Sequence, residues 1–198
     1  MGVPYSRVSI ISNALLLLGK PRIESIAAGG PPAIAADQLF DMVLSADLSS
    51  PNWRFATSIA KLSLVAGTDI TFANYRYAYQ LPADLLAIWR IWPGVSYQVF
   101  GQRLYTSTSS ELQIEYRSAV SLGNMPPSYL NYFTYLLADT LSAAMTQDAS
   151  VISKINTQML TAKSHAMVVN AQNHPNQAIA SSPWIAARLG GGGASRLG

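Results

Sequence analysis

The chain contains no cysteine, so it has neither disulfides nor thiolate metal ligands. Charge is also scarce. Only 12% of its 198 residues are Asp, Glu, Lys or Arg, about half the ~25% usual in globular domains. With 49% hydrophobic residues the chain is not a disordered one. So few charges argue against a freely solvated monomer, because the exterior must be covered by polar uncharged side chains or by partners. Acidic residues stop at Asp148, while Lys154, Lys163, Arg188 and Arg196 follow. The last quarter therefore carries +4 and everything before it −1, which sums to the net +3. That balance is too mild for a dedicated DNA-binding domain. The C-terminal excess is either a solvated tail or an arm that docks on an acidic surface. No apolar run approaches the ~18 residues of a membrane span, since Leu15–Leu18 is closed at once by Gly19. No membrane partner and no signal peptide are expected. Met1-Gly2 with Ser6 has the outline of a myristoylation site, but Pro4 interrupts the recognition stretch.

Periodicity divides what is present. Residues 5–18 read as a helix with Ser6 as its cap and Val8, Ile11, Leu15 and Leu18 on one face. Gly19 and Pro21 end it. Gly29-Gly30-Pro31-Pro32 opens a second helix to about Leu48, with Ala36, Leu39, Phe40, Val43 and Leu44 as its stripe. From Trp53 to Val120 the period changes to two. One extended segment runs from Phe55 to Val65, and Tyr75–Leu81 and Leu86–Trp92 read as strands. Tyr97–Phe100 and Arg103–Thr106 flank a two-residue turn, Gly101-Gln102. Leu112, Ile114 and Tyr116 alternate with polar residues as a half-buried strand. Helix period returns at Pro126-Pro127-Ser128, with Leu130, Phe133, Leu137, Leu141 and Ala144 on one face. Tyr129, Tyr132 and Tyr135 stand beside them. A helix apolar over so much of its circumference belongs at the centre of a bundle or an oligomer. Asp148 or Ser150 caps a last helix, about 149–172, with Val151, Ile155, Met159, Ala162, Ala166 and Val169 inward.

The expected fold class is mainly α with a β insertion (α+β). About four helices bracket a small antiparallel β lobe, and an extended C-terminal tail follows. Residues 1–52 and 121–173 form the helical body, 53–120 the inserted lobe and 174–198 a docking arm. In the arm, Trp184-Ile185 is an apolar anchor. Arg188-Leu189-Gly190 recurs as Arg196-Leu197-Gly198 across a glycine spacer, either by chance in a biased tail or as two docking pegs.

Sites for chemistry are few. His165 and His174 are the only imidazoles, and no acid follows Asp148, so no metal site is assigned. No nucleophile elbow, phosphate loop or dinucleotide fingerprint occurs. Asp37 with Asp41, and Glu111 with Glu115, share faces, and paired carboxylates can hydrolyse glycosides. Surface pairs of this kind are ordinarily solvated. Trp89, Trp92, Tyr97 and Tyr105 could stack on nucleobases, but only Arg90 and Arg103 lie among them, which favours core or protein-interface packing. No catalytic residue, cofactor or enzymatic activity is expected.

Four stretches, in order, resemble the head-to-tail adaptors of short-tailed bacteriophages, the tail tubular protein A type. These are the opening helix ending in Leu15–Gly19 before a Gly/Pro connector, Ser50-Pro51-Asn52-Trp53-Arg54-Phe55-Ala56-Thr57, Tyr79-Gln80-Leu81-Pro82-Ala83-Asp84-Leu85-Leu86, and Pro126-Pro127-Ser128-Tyr129 opening a long helix that reaches Ala138-Asp139. Together they span residues 5–173. The resemblance implies a virion structural protein, assembled in the host cytoplasm. It would be a homo-oligomeric ring, commonly dodecameric, between the portal protein and a tail nozzle of the tail tubular protein B type. DNA would pass through its lumen without specific binding, and tail fibres are a further candidate partner. The β lobe would point to the tail, with the turns near Gly94–Ser96 and Thr106–Ser110 facing it. The arm, through Trp184, Ile185, Arg188, Leu189, Arg196 and Leu197, would reach the portal or a neighbouring subunit. Two alternatives stay open on the residues: a neck completion protein of a long-tailed phage, and a tail-associated glycan hydrolase.

Overall fold

Ser6 starts the first helix, α1 (Arg7–Leu17), through a reciprocal cap in which its side chain accepts from the Ser9 amide and Ser9 returns the bond. Gly19, at φ +73°, ends it: the Gly19 and Lys20 amides turn back to the Leu16 and Leu15 carbonyls. The computed structural model describes residues 5–50, 53–65, 75–146 and 148–172. The docking arm, including Trp184, Ile185, Arg188, Leu189, Arg196 and Leu197, lies outside the described residues, as does His174.

The second helix, α2, runs Gly30–Leu48 with proline in its first turn. Six strands follow: β1 (Thr57–Leu64), β2 (Tyr77–Gln80), β3 (Leu85–Trp92), β4 (Tyr97–Phe100), β5 (Arg103–Thr106) and β6 (Leu112–Ser118). Two helices close the described chain, α3 (Pro127–Met145) and α4 (Ala149–Gln172). The α+β class, with four helices bracketing an antiparallel β lobe, is therefore observed. α3 packs against α1, α2 and α4, while α4 leans chiefly on α3.

Four sequence expectations need correction. Residues 54–56 form a short 3-10 turn, so β1 begins at Thr57. Trp53 is pulled into the helical core against Tyr129 and Tyr132, which bends the chain before it extends. In α1 the buried face is Ile10, Ile11, Ala14 and Leu15, and Val8 is only half-buried, because the helix packs against both α2 and α3. Ala144 of α3 is exposed, the inward face ending at Leu141 and Ser142. Asn170 of α4 is buried beside the expected apolar stripe, because its Oδ1 accepts from the Arg54 amide at 2.9 Å.

All strand neighbours are antiparallel, in the order β3-β6-β1-β2-β5-β4. β3 and β4 are thus the two outer strands, yet only Pro93–Ser96 joins them. Five Cα steps from Trp92 to Tyr97 reach at most about 19 Å. Five strand spacings in a flat sheet would need about 24 Å. The sheet therefore curls, bringing its two edges toward each other. It wraps one core of Leu62, Tyr79, Leu81, Leu104, Leu112, Ile114 and Tyr116. A second core lies among the helices and takes in Trp53 and Ala56 from the chain entering the lobe. Gly101, at φ +58°, makes the tight β4–β5 turn.

Two stability predictions follow from this packing. Phe133 is fully buried, edge-on to Phe40 with ring centroids 5.1 Å apart. Phe133→Ala should cost about 3–5 kcal/mol in urea unfolding. The Asp148 carboxylate caps α4, accepting from the Ser150 side chain and from the Ser150 and Val151 amides, and these bonds lower its pKa. A lowered folded-state pKa stabilises above the ordinary carboxylate range and is lost as pH falls through it. The melting-temperature gap between the native chain and Asp148→Ala should therefore be largest near neutral pH and close on acidification.

Candidate interaction surface

Several charged side chains on the helical body are committed to contacts within it. Arg7 of α1 binds Asp37 at 2.5 Å and Asp41 at 2.7 Å on α2, donates to the Asp37 carbonyl, and stacks its guanidinium 4.5 Å above Phe40. Lys163 of α4 reaches over the Tyr132 ring. Asp47, near the end of α2, accepts from the Tyr129 hydroxyl at 3.0 Å and the Tyr132 hydroxyl at 2.9 Å. Burial, followed by the nearby Asp47 charge, drives both phenol pKa values upward, so these tyrosines stay protonated donors.

These pairings leave outer faces that are poor in charge. On α4, Leu160, Met167 and Val168 are exposed among Thr157, Ser164 and Ala171. They stand on the side away from the buried Ile155, Ala162 and Ala166. Beside them a groove runs between α4, α3 and α1. It consists of two hollows of about 310 and 430 Å³ that share Asn131 and Tyr135. Tyr5, Asn13 and Leu16 line one end, and Gln158, Thr161 and His165 the other. Among the described residues no carboxylate, lysine or arginine lines either hollow. On α2, Ile34, Gln38 and Met42 form a separate exposed stripe at i, i+4, i+8, with Ile34 and Met42 46% and 61% exposed. Both α2 and α4 pack on α3 without packing substantially on each other, so the two stripes belong to different flanks.

The residues singled out for chemistry fall elsewhere. Asp37 and Asp41 do share a face, but with Arg7 between them. Glu111 precedes β6 and pairs with Lys61 at 2.5 Å, both side chains well exposed. Glu115 sits opposite Arg90 of β3 and Ile59 of β1. Among the described residues no three His, Asp or Glu side chains gather as a metal site, and no helix is long and apolar enough to cross a membrane.

The aromatic residues of the lobe divide. Trp89 and Trp92 are exposed on β3, with Trp89 over the buried Arg117 guanidinium, 5.1 Å from the ring centre. Tyr105 is half-buried against Phe100. The two turns expected to face the tail are brought together, because the Thr106 hydroxyl donates to the Ser96 carbonyl at 3.1 Å. Thr106 itself is fully buried, since its hydroxyl is the tie between the turns, and it is removed from the expected contact set. Tyr79 fixes the second turn by donating to the Ser110 carbonyl at 2.6 Å.

The exposed apolar residues of α2 and α4 were missed in the sequence because they fall between the inward stripes. The available signal was a second apolar stripe on each helix, flanked on α2 by Asp37 and Asp41 and on α4 by Lys163, charges that are committed to contacts within the chain. Against models of known protein families the sequence has no match, and no curated protein matches it. Met42→Glu and Leu160→Glu should each leave the unfolding free energy, read by urea denaturation, within about 0.5 kcal/mol of the native chain's, as expected for side chains outside the fold's core.

Proposed function

We propose that the protein is a virion structural component, a head-to-tail adaptor whose copies form a ring between a portal and a tail nozzle. The observation that carries this reading is the pair of charge-poor, apolar-bearing flanks on α2 and on α4 with its groove. Two different surfaces on separate flanks of one chain can meet each other in a neighbouring copy. Joined head to tail they generate a ring when the rotation closes. The flanks carry little charge, so their association should depend little on salt. A body with few cations also suits a lumen through which DNA slides, because each phosphate neutralised would tighten the grip. The order of sequence stretches that resembles the adaptors of short-tailed phages gives the same assignment. It adds the portal, the nozzle and a dodecameric count. In this reading Trp184, Ile185, Arg188, Leu189, Arg196 and Leu197 dock on the portal or on a neighbouring subunit. Their local concentration is high once the body is seated.

The test mixes the purified full-length chain with the portal protein of the same virus and images the product by electron microscopy. A closed ring of this chain stacked on the portal is expected. It should survive raised salt and be lost in Met42→Glu and Leu160→Glu. No ring on the portal, or rings unaffected by both substitutions, would overturn the assignment.

A further inference from the structure

The curled sheet leaves its own core open along one seam. Register places Tyr97 opposite Thr106 and Val99 opposite Leu104, on the face that lines the lobe interior. Leu104 and Thr106 are fully buried, yet Tyr97 and Val99 remain 37% and 41% exposed. Across the seam, Ile88 and Ile91 of β3 face inward beside Tyr116 and Ile114 and are only partly covered. Among the described residues no strand covers this place.

The two edges are not equivalent. Edge strands are ordinarily protected by charge, proline or a bulge. β3 has all three: Arg90 within it, Pro93 just past its end, and register breaks at Leu85/Ala87 and Ile88/Arg90. β4 has none. Its four residues are uncharged, contain no proline, and pair with β5 without interruption. In a two-residue hairpin the flanking residues, here Phe100 and Arg103, form the hydrogen-bonded pair. The Tyr97 and Val99 amides therefore point away from β5 and into the seam.

The same chain contains a segment of matching chemistry. Gln172, where the described residues end, lies one half-turn beyond Asn170, which is bonded to Arg54 at the root of the lobe. The sequence from Pro175 to Ala187 is free of charge. Trp184–Leu189 lies between Pro183 and Gly190, and Ile185, Ala187 and Leu189 alternate along it, the pattern of a strand apolar on one face. The residues from Gln172 to Trp184 can span about 40 Å, more than the ~27 Å length of β1, the lobe's longest dimension along a strand. We propose that in the free protein Trp184–Leu189 adds to the open edge of β4 in its own lobe, with Ile185, Ala187 and Leu189 closing the seam. This is strand addition, in which main-chain bonds hold the segment and alternate side chains fill the opening. It places the arm before assembly and does not depend on the adaptor reading.

Residue-resolved amide exchange on the full-length chain tests it. The Tyr97 and Val99 amides should exchange at least ~10-fold more slowly in the native chain than in Ile185→Asp or Leu189→Asp, with the melting temperature unchanged. Equal rates would overturn the proposal. Because the chain has no cysteine, Val99→Cys can be combined in turn with Ile185→Cys, Ala187→Cys or Leu189→Cys. At least one pair should form a disulfide within a single molecule on mild oxidation. No disulfide from any pair would overturn the proposal. A product joined only between molecules would do so too, by assigning the segment to a second copy. Ring formation on the portal is a separate readout, so failure here is distinguishable from failure of the adaptor assignment.

Discussion

Two phenol hydroxyls share one carboxylate in this protein, and that arrangement allows the central helix to be buried on most of its sides. Tyr129 and Tyr132 bring large apolar rings into the helical core, but each ends in a polar group whose burial without a partner is costly. Asp47 accepts from both. Its position near the end of α2 ties that helix to α3 at the point where Trp53 enters, with its ring 4.8 Å from Tyr129 and 5.5 Å from Tyr132. The wide apolar circumference of α3 is thereby consumed inside a single chain. Any need for neighbouring molecules arises instead from the outer faces of α2 and α4.

The β lobe follows a different constraint. A short link between strands at opposite ends of the sheet forces curvature, and curvature creates an enclosed core separate from the helical one. Four-residue strands at β2, β4 and β5 keep the wall small. The hydroxyls of Tyr79 and Thr106 then gather the loops at one end of the lobe. Curling without closing leaves a seam lined by inward-facing side chains that no other described strand covers.

A sparse set of charges shapes the surface. Arg7 with its two aspartates, Lys61 with Glu111, and Lys163 above Tyr132 commit charge to contacts within the chain. What remains outward on α2, α4 and the groove is mostly polar and uncharged apart from Asp41 and Lys154, interrupted by exposed Ile, Leu, Met and Val. Such faces lose little by being desolvated against another protein surface, since few ions must give up their hydration.

The helices and most strands were legible because their signals are local. Capping serines and aspartates, prolines in first turns, a glycine in the left-handed region and a change of period from 3.6 to 2 all act over a few residues. They placed α2, α4 and the β4–β5 hairpin closely. The inward faces of α3 and α4 were also read, except at Ala144 and Asn170, whose burial depends on what lies opposite. The candidate surface was not legible, because Met42 and Leu160 differ from core residues only in facing outward. Composition by itself determined that the exterior would be short of charge and that no thiol chemistry was available. Only the tertiary structure decided which carboxylates meet arginine, which tyrosines share Asp47, which apolar side chains are left over, and that the sheet curls with an open edge. Each of these is set by contacts between residues far apart in the chain, and hydrophobic periodicity carries no record of the partner.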